Sequence, residues 1–242
     1  MAKRILITGG AVGIGEATSR QLAPGNRLIV HYNASAAEAS SLIKELEPVA
    51  AEVHAIQANL ATDQGCVLLR DAVQSRFGAL DVLVNNAGGM IERCAVKDLP
   101  WDHLLATFEL NVFSTMRLTA LCTDLLQRGD DSCVVNVTSI SIRHGAPTAT
   151  AYGAAKAAID AFTRGAAREL APVRVNAVAP GIIDTRFHER LTPPDKMRSF
   201  IEATPLKRIG TPETVAKAIQ FIIDSDFMTG ETVDCNGGLF MR

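Results

Sequence analysis

Arg4-Ile5-Leu6-Ile7-Thr8-Gly9-Gly10-Ala11-Val12-Gly13-Ile14-Gly15 runs an apolar segment straight into a glycine-rich turn, and Glu16 to Leu22 then reads as helix until Pro24-Gly25 stops it. The nearly continuous apolar run at the start is what a strand covered on both faces requires. Glycines let the turn tighten and let backbone N–H groups approach a diphosphate at the N-terminus of the following helix. The spacing Gly9, Gly13, Gly15 differs from GxGxxG. The order strand, glycines, helix points to a nucleotide; the alternative is a tight strand–helix turn with no ligand.

The same alternation continues outward from this unit. Strands are expected at 27–32, 52–57, 80–84, 132–137, 173–178 and near 232–235. Helices are expected at 36–47, from about 62 to 77, at 101–127, 150–170 and 212–223, with a less regular stretch over 181–210. Strand and helix in turn give an α/β fold: a Rossmann-like, doubly wound parallel β-sheet flanked by helices on both faces. With no repeats or low-complexity linker, residues 1–242 are expected to form a single domain. Ligands of such sheets bind outside the carboxyl ends of the strands. Gly9, Asn85, Ser139 and Pro180-Gly181 all follow or end a strand there, so one crevice should gather them.

The balance of 24 basic against 26 acidic residues gives no electrostatic reason to invoke nucleic acid or an anionic membrane. No run approaches eighteen apolar residues, and Met1-Ala2-Lys3-Arg4 lacks the apolar core of a secretion signal. Cys66, Cys94, Cys122, Cys133 and Cys235 show no CxxC spacing, which fits reduced thiols in a cytoplasmic protein. His31, His54, His103, His144 and His188 have no ligand-like spacing, so no metal is expected.

Tyr152 and Lys156 lie four residues apart, close to one helical turn, thirteen residues after Ser139. A free tyrosine titrates at about pH 10 and is a poor base at neutrality. A neighbouring cation would favour the phenolate and lower that value. Ser139 could hydrogen-bond a substrate oxygen beside the phenol, so that two donors meet a carbonyl oxygen as charge develops on it. Taken alone, YxxxK is also an ordinary surface pair. Asn111 sits within the 101–127 helix, where a local irregularity would free its backbone.

With Thr8-Gly9-x-x-x-Gly13-Ile14-Gly15, Asn85-Asn86-Ala87-Gly88, Asn111, Ser139, Tyr152-x-x-x-Lys156 and Pro180-Gly181 in this order, the chain resembles the short-chain dehydrogenase/reductase family from end to end. The resemblance implies an oxidoreductase moving a hydride between a nicotinamide cofactor and a carbonyl/secondary alcohol pair. It implies Tyr152 as acid/base, Ser139 as orienter of the substrate oxygen and Lys156 as modulator of the tyrosine and ligand of the nicotinamide ribose. Asn111 would hold a relay water. Gly9, Gly13, Ile14, Gly15, Asn86, Ala87, Gly88, Pro180, Gly181, Ile183 and Thr185 would contact the cofactor, as would Tyr32, Asn33 and Ser35 at the end of the second strand. Asn59 and Leu60 occupy the family's adenine position. The helices 150–170 and 101–127 pair across subunits in this family, so a homotetramer or homodimer is expected.

NAD enzymes of this architecture place an acid about twenty residues beyond the glycines. Here His31-Tyr32-Asn33-Ala34-Ser35 offers none, and no arginine sits there or at Val12. Asn33 and Ser35 could donate to a 2′-phosphate and His31 could add partial charge, so NADP(H) is favoured and NAD(H) remains possible. Arg143, Arg186 and Arg190 could attract an acidic or acyl-carrier substrate, or simply be solvated. The substrate readings are a 3-oxoacyl-acyl-carrier-protein reductase-like role and a polyol, sugar or steroid dehydrogenase. A non-catalytic dinucleotide-binding sensor or scaffold is the alternative of another class.

Overall fold

The computed structural model describes residues 2–185 and 192–241. Seven strands form one parallel sheet: β1 (Arg4–Ile7), β2 (Arg27–Tyr32), β3 (Glu52–Gln57), β4 (Val82–Asn85), β5 (Cys133–Val137), β6 (Arg174–Pro180) and β7 (Thr232–Cys235), in the order β3-β2-β1-β4-β5-β6-β7. The strands alternate residues between two cores. Ile5, Ile7, Leu28, Val30, Val82 and Val84 pack on one face; Leu6, Ile29, Leu83 and Val134 pack on the other. Both faces are therefore dry, as an all-parallel sheet demands.

Helices α1 (Gly13–Leu22) and α2 (Ala36–Leu46) supply Leu22, Ala39 and Leu42 to the first core. On the opposite face α3 (Asp63–Phe77) supplies Leu69 and Val73. The expected 101–127 helix is continuous in path but not in winding. It runs as α4 (Trp101–Phe108), a π-helical turn over Glu109–Phe113 and α5 (Ser114–Gln127). The π-turn is the irregularity anticipated at Asn111. A short α6 (Ser141–His144) leads to α7 (Thr150–Glu169), the helix of Tyr152 and Lys156. Within the stretch expected to be irregular lies α8 (Pro194–Ala203), followed by α9 (Pro212–Asp224). Proline opens both, where its missing N–H costs no hydrogen bond.

The chain winds outward from β1 through β2 to β3, then returns to build β4 to β7 on the other side. The reversal falls between β1 and β4, whose Ile7 and Val84 are paired partners. That switch point opens the crevice at their carboxyl ends. Asn86 ties its two sides together: its Nδ2 donates to the carbonyls of Thr8 (2.9 Å) and Gly9 (3.0 Å). Thr8 Oγ1 accepts the amides of Asn86 and Ala87, both at 2.9 Å.

Candidate active site

A cavity of about 890 Å³ lies along the carboxyl edge of the sheet. At one end it is walled by Tyr32, Asn33 and Ser35, and in the middle by Gly9, Gly13, Ile14, Asn86, Ala87 and Gly88. Ser139, Tyr152 and Lys156 close the other side, with Pro180, Gly181, Ile183 and Thr185 facing the glycine turn. Thr185 stands opposite Gly13, where an added Cβ would meet its methyl at 3.5 Å.

Four of the expected residues do not line this cavity. Gly15 has no room for a side chain, because a Cβ there would come within 2.0 Å of the Gly9 carbonyl. Leu60 is buried in the core and Asn59 closes an exposed turn, its Oδ1 accepting the Ala61 amide at 3.1 Å. Asn111 is fully buried. Its Nδ2 donates to the carbonyls of Gly89 and Thr107, and its Oδ1 accepts the Gly89 amide, all at 2.9 Å. It therefore holds the loop after β4 rather than lining the cavity.

His31 reads differently in three dimensions. It is 2 % exposed, accepts the Gly9 N–H at Nδ1 (3.0 Å) and donates from Nε2 to the Ala58 carbonyl (3.0 Å). Burial lowers its pKa, partly offset by the Ala58 bond, so the ring is neutral and both nitrogens are engaged. Its expected contribution of positive charge to a phosphate is thus corrected: it braces the turn instead. Arg143 is likewise turned away, toward Asp234 (3.4 Å) and Asp160 (3.9 Å); Arg186 and Arg190 lie outside the described residues.

The tyrosine runs against the expectation drawn from spacing. Burial pushes the phenol up to about 12, opposed by its hydrogen bond with Ser139. Lys156 is only 4 % exposed and burial pulls it down to about 8. Its Nζ donates to the Val137 carbonyl at 2.8 Å and stands 5.9 Å from the centre of the tyrosine ring. Burial outweighs the Ser139 hydrogen bond, and the phenol is held as a proton donor. Ser139 Oγ is itself fixed, accepting the amide of Ser141 (3.2 Å) and its hydroxyl (3.0 Å). Ser141 lines the cavity but carries no motif that would single it out in the sequence.

A dinucleotide suits this cradle. Val12 makes no side-chain cap on α1, which leaves the first-turn N–H groups of that helix for an anion, and the closely packed glycines admit a ligand against bare backbone. Among the described residues no cluster of histidine, cysteine and carboxylate could hold a metal, and no helix is long and apolar enough to cross a membrane.

Known proteins are similar to this chain in sequence and fold. The family described as enoyl-(acyl carrier protein) reductase matches residues 9–240. The 3-oxoacyl-(acyl-carrier-protein) reductase FabG of Staphylococcus epidermidis is 35% identical over 248 residues, covering 100% of both chains. Its namesake from Thermotoga maritima is 34% identical, covering 98% of this chain and 97% of its own. Among solved structures, an NADH-dependent reductase A1-R′ responsible for alginate metabolism superposes with a TM-score of 0.91 at 28% identity, covering 100% of this chain and 98% of the other. A short-chain glucose/ribitol dehydrogenase from Brucella melitensis gives 0.90 at 29% identity, covering 99% and 97%. The chain is an oxidoreductase that takes a nicotinamide cofactor, and it belongs to the short-chain dehydrogenase/reductase family.

Proposed function

We propose that the protein is a carbonyl reductase using Tyr152 as general acid, with NADPH preferred over NADH. The observation that carries this reading is the meeting of Ser139, Tyr152 and Lys156 in one cavity beside the glycine turn. A bound nicotinamide would supply or accept the hydride. The side chains have the remaining tasks. The Ser139 hydroxyl and the Tyr152 phenol both reach a carbonyl oxygen placed between them, and their donated hydrogen bonds strengthen as that oxygen becomes negative. The Tyr152 proton then moves to the oxygen. A phenol kept neutral up to about 12 suits this direction, because the donor is fully protonated at pH 7. Lys156, largely charged below about 8, stabilises the phenolate left behind. Asn111 acts as a positioning residue through Gly89.

The preference for NADPH rests on the cavity wall at the end of β2, where Tyr32, Asn33 and Ser35 present no carboxylate to a 2′-phosphate. A 3-oxoacyl thioester is the substrate suggested by the names of the curated relatives; sugar and polyol substrates are suggested by one solved neighbour. The cytoplasm is the compartment that fits such chemistry. Exposed Trp101 and Phe113 on the 101–127 helix support a homodimer or homotetramer. The test is titration with NADPH and NADH, followed by turnover of 3-oxoacyl thioesters, ketones and sugars. Tight dinucleotide binding with reduction of one carbonyl class supports the reading; binding without turnover on any of them overturns it.

A further inference from the structure

Ser139 has one hydroxyl proton and two lone pairs to distribute. A single neighbour takes both lone pairs. Ser141, the first residue of α6, donates its amide at 3.2 Å and its hydroxyl at 3.0 Å to Ser139 Oγ. The Ser139 oxygen is therefore saturated as an acceptor, and its proton is what it has left to offer the cavity that it lines. Its hydrogen bond with the Tyr152 phenol favours the phenolate, as a bond donated by Ser139 to the phenolic oxygen does.

Ser141 is itself held in place. It is buried, with 8 % exposure, and Gly153, the residue after Tyr152, packs against it. A Cβ added at Gly153 would lie 3.7 Å from both the carbonyl oxygen and the hydroxyl of Ser141, so glycine leaves that hydroxyl without a competing side chain on this side. A helix of four residues has little stability of its own. Arg143 anchors α6 to β7 through Asp234 at 3.4 Å and lies 3.9 Å from Asp160 of α7. Without the Ser141 hydroxyl, Ser139 would regain a lone pair able to accept the phenolic proton. The Tyr152 proton would then point at Ser139 and away from a carbonyl oxygen, which needs both donors as charge develops on it.

We propose that Ser141 is a positioning residue for carbonyl reduction, filling the acceptor capacity of Ser139 so that Ser139 and Tyr152 both turn their protons to the substrate oxygen. The inference rests on the reductase reading above. The hydrogen bonds from Ser141 to Ser139 and from Ser139 to the substrate oxygen run in one direction, and each strengthens the next. Ser141 acts through Ser139 and has no need to touch the substrate.

The test compares wild type, Ser141→Ala, Ser141→Thr, Ser139→Ala and the double variant Ser139→Ala/Ser141→Ala. Each is saturated with the tighter-binding dinucleotide and assayed for reduction of a 3-oxobutanoyl thioester, 2,3-butanedione and fructose. Ser141→Ala should lose about tenfold in kcat, the scale of one hydrogen bond, while KM and dinucleotide affinity stay within about threefold. Ser141→Thr keeps the hydroxyl and should return to within about threefold of wild type. In the Ser139→Ala background, removing the Ser141 hydroxyl should cost less than about twofold, because no oxygen remains to be oriented. A purely structural role would cost the same in both backgrounds. Equal losses with and without Ser139, or full kcat in Ser141→Ala, overturns the inference while the reductase reading stands. A wild type that reduces none of the three carbonyls sinks the proposed function and this inference with it.

Discussion

The imidazole of His31, the penultimate residue of β2, accepts the amide hydrogen of Gly9 at 3.0 Å, while the His31 carbonyl accepts that of Gly10 at 2.8 Å. One residue thereby fixes two consecutive amides of the turn on which a diphosphate would rest. Replacing His31 with Phe keeps the ring volume but strands the Gly9 N–H, at a cost of about 1–3 kcal/mol. The expected outcome is a drop in melting temperature and dinucleotide affinity weakened about tenfold or more. The pH dependence has a definite sign. A buried histidine whose pKa is lowered contributes fully above its ordinary value of about 6.5, and that stability is lost as pH falls toward the lower folded value. Melts between pH 8 and 5 should show wild type losing more than His31→Asn; parallel curves would remove His31 from this role.

Tyr152→Phe preserves the ring in the wall but deletes the proton donor. Carbonyl reduction should fall at least about 100-fold, with dinucleotide affinity unchanged within about threefold. Retention of most of the rate would reassign the proton to another group, Ser139 being the neighbouring hydroxyl.

Much of this was legible along the chain, and the parts that were not share a cause. The doubly wound sheet follows from apolar runs such as Arg4–Ile7 ending in glycine, because both-face burial leaves no polar alternation to mistake for another architecture. That Ser139, Tyr152 and Lys156 would share one crevice was legible from the order of the motifs, not from the four-residue spacing alone. The direction of the tyrosine shift was not, since spacing reveals a neighbouring charge but not the desolvation that the surrounding fold imposes on the phenol. His31 read as a source of partial charge for a phosphate because an imidazole gives no sequence sign of which backbone groups lie beside it. Helix α8 buries no residue, so it lacks the apolar period that marks a helix, although Pro193-Pro194 signals its start.

Lys156 should set the alkaline limit of the free protein. Its folded value of about 8 lies below the ordinary 10.5, so the ammonium is lost well before that of an exposed lysine. The kcat/KM for the dinucleotide in carbonyl reduction should be level below about pH 7 and fall about tenfold per unit above pH 8. Stability moves the opposite way. Burial penalises the charged form, so the contribution of Lys156 is least favourable below about 8 and improves as pH rises toward 10.5. Lys156→Met should therefore gain on wild type at pH 7 and lose that advantage by pH 10. A rate profile level to pH 10 would show that the lysine charge is not used.

Asn33 lines the cavity at the end of β2, and its carbonyl accepts the Gln57 side-chain amide at 2.8 Å. Asn33→Asp keeps the shape while adding a charge that accepts from ribose hydroxyls and repels a 2′-phosphate. The ratio of NADPH to NADH affinity should move about tenfold or more toward NADH. An unchanged ratio would place the selection at Ser35 or Tyr32.

Gly88 sits where the loop after β4 passes Asn111 and Lys156. A Cβ at this position would come within 2.7 Å of Asn111 Oδ1 and 3.0 Å of Lys156 Nζ. The lysine end could swing, but the Asn111 carboxamide is held by three hydrogen bonds and fully buried, so it cannot yield without releasing Gly89. Gly88→Ala should therefore lower kcat about tenfold or more with the sheet intact, because displacing either group by an ångström misaligns the proton donor. Circular dichroism and melting would establish the intact fold, and single-turnover rates would locate the loss in chemistry. A variant with full rate would mean that Asn111 and Lys156 tolerate displacement, and that the tight contact of loop, π-turn and α7 at Gly88 is packing alone.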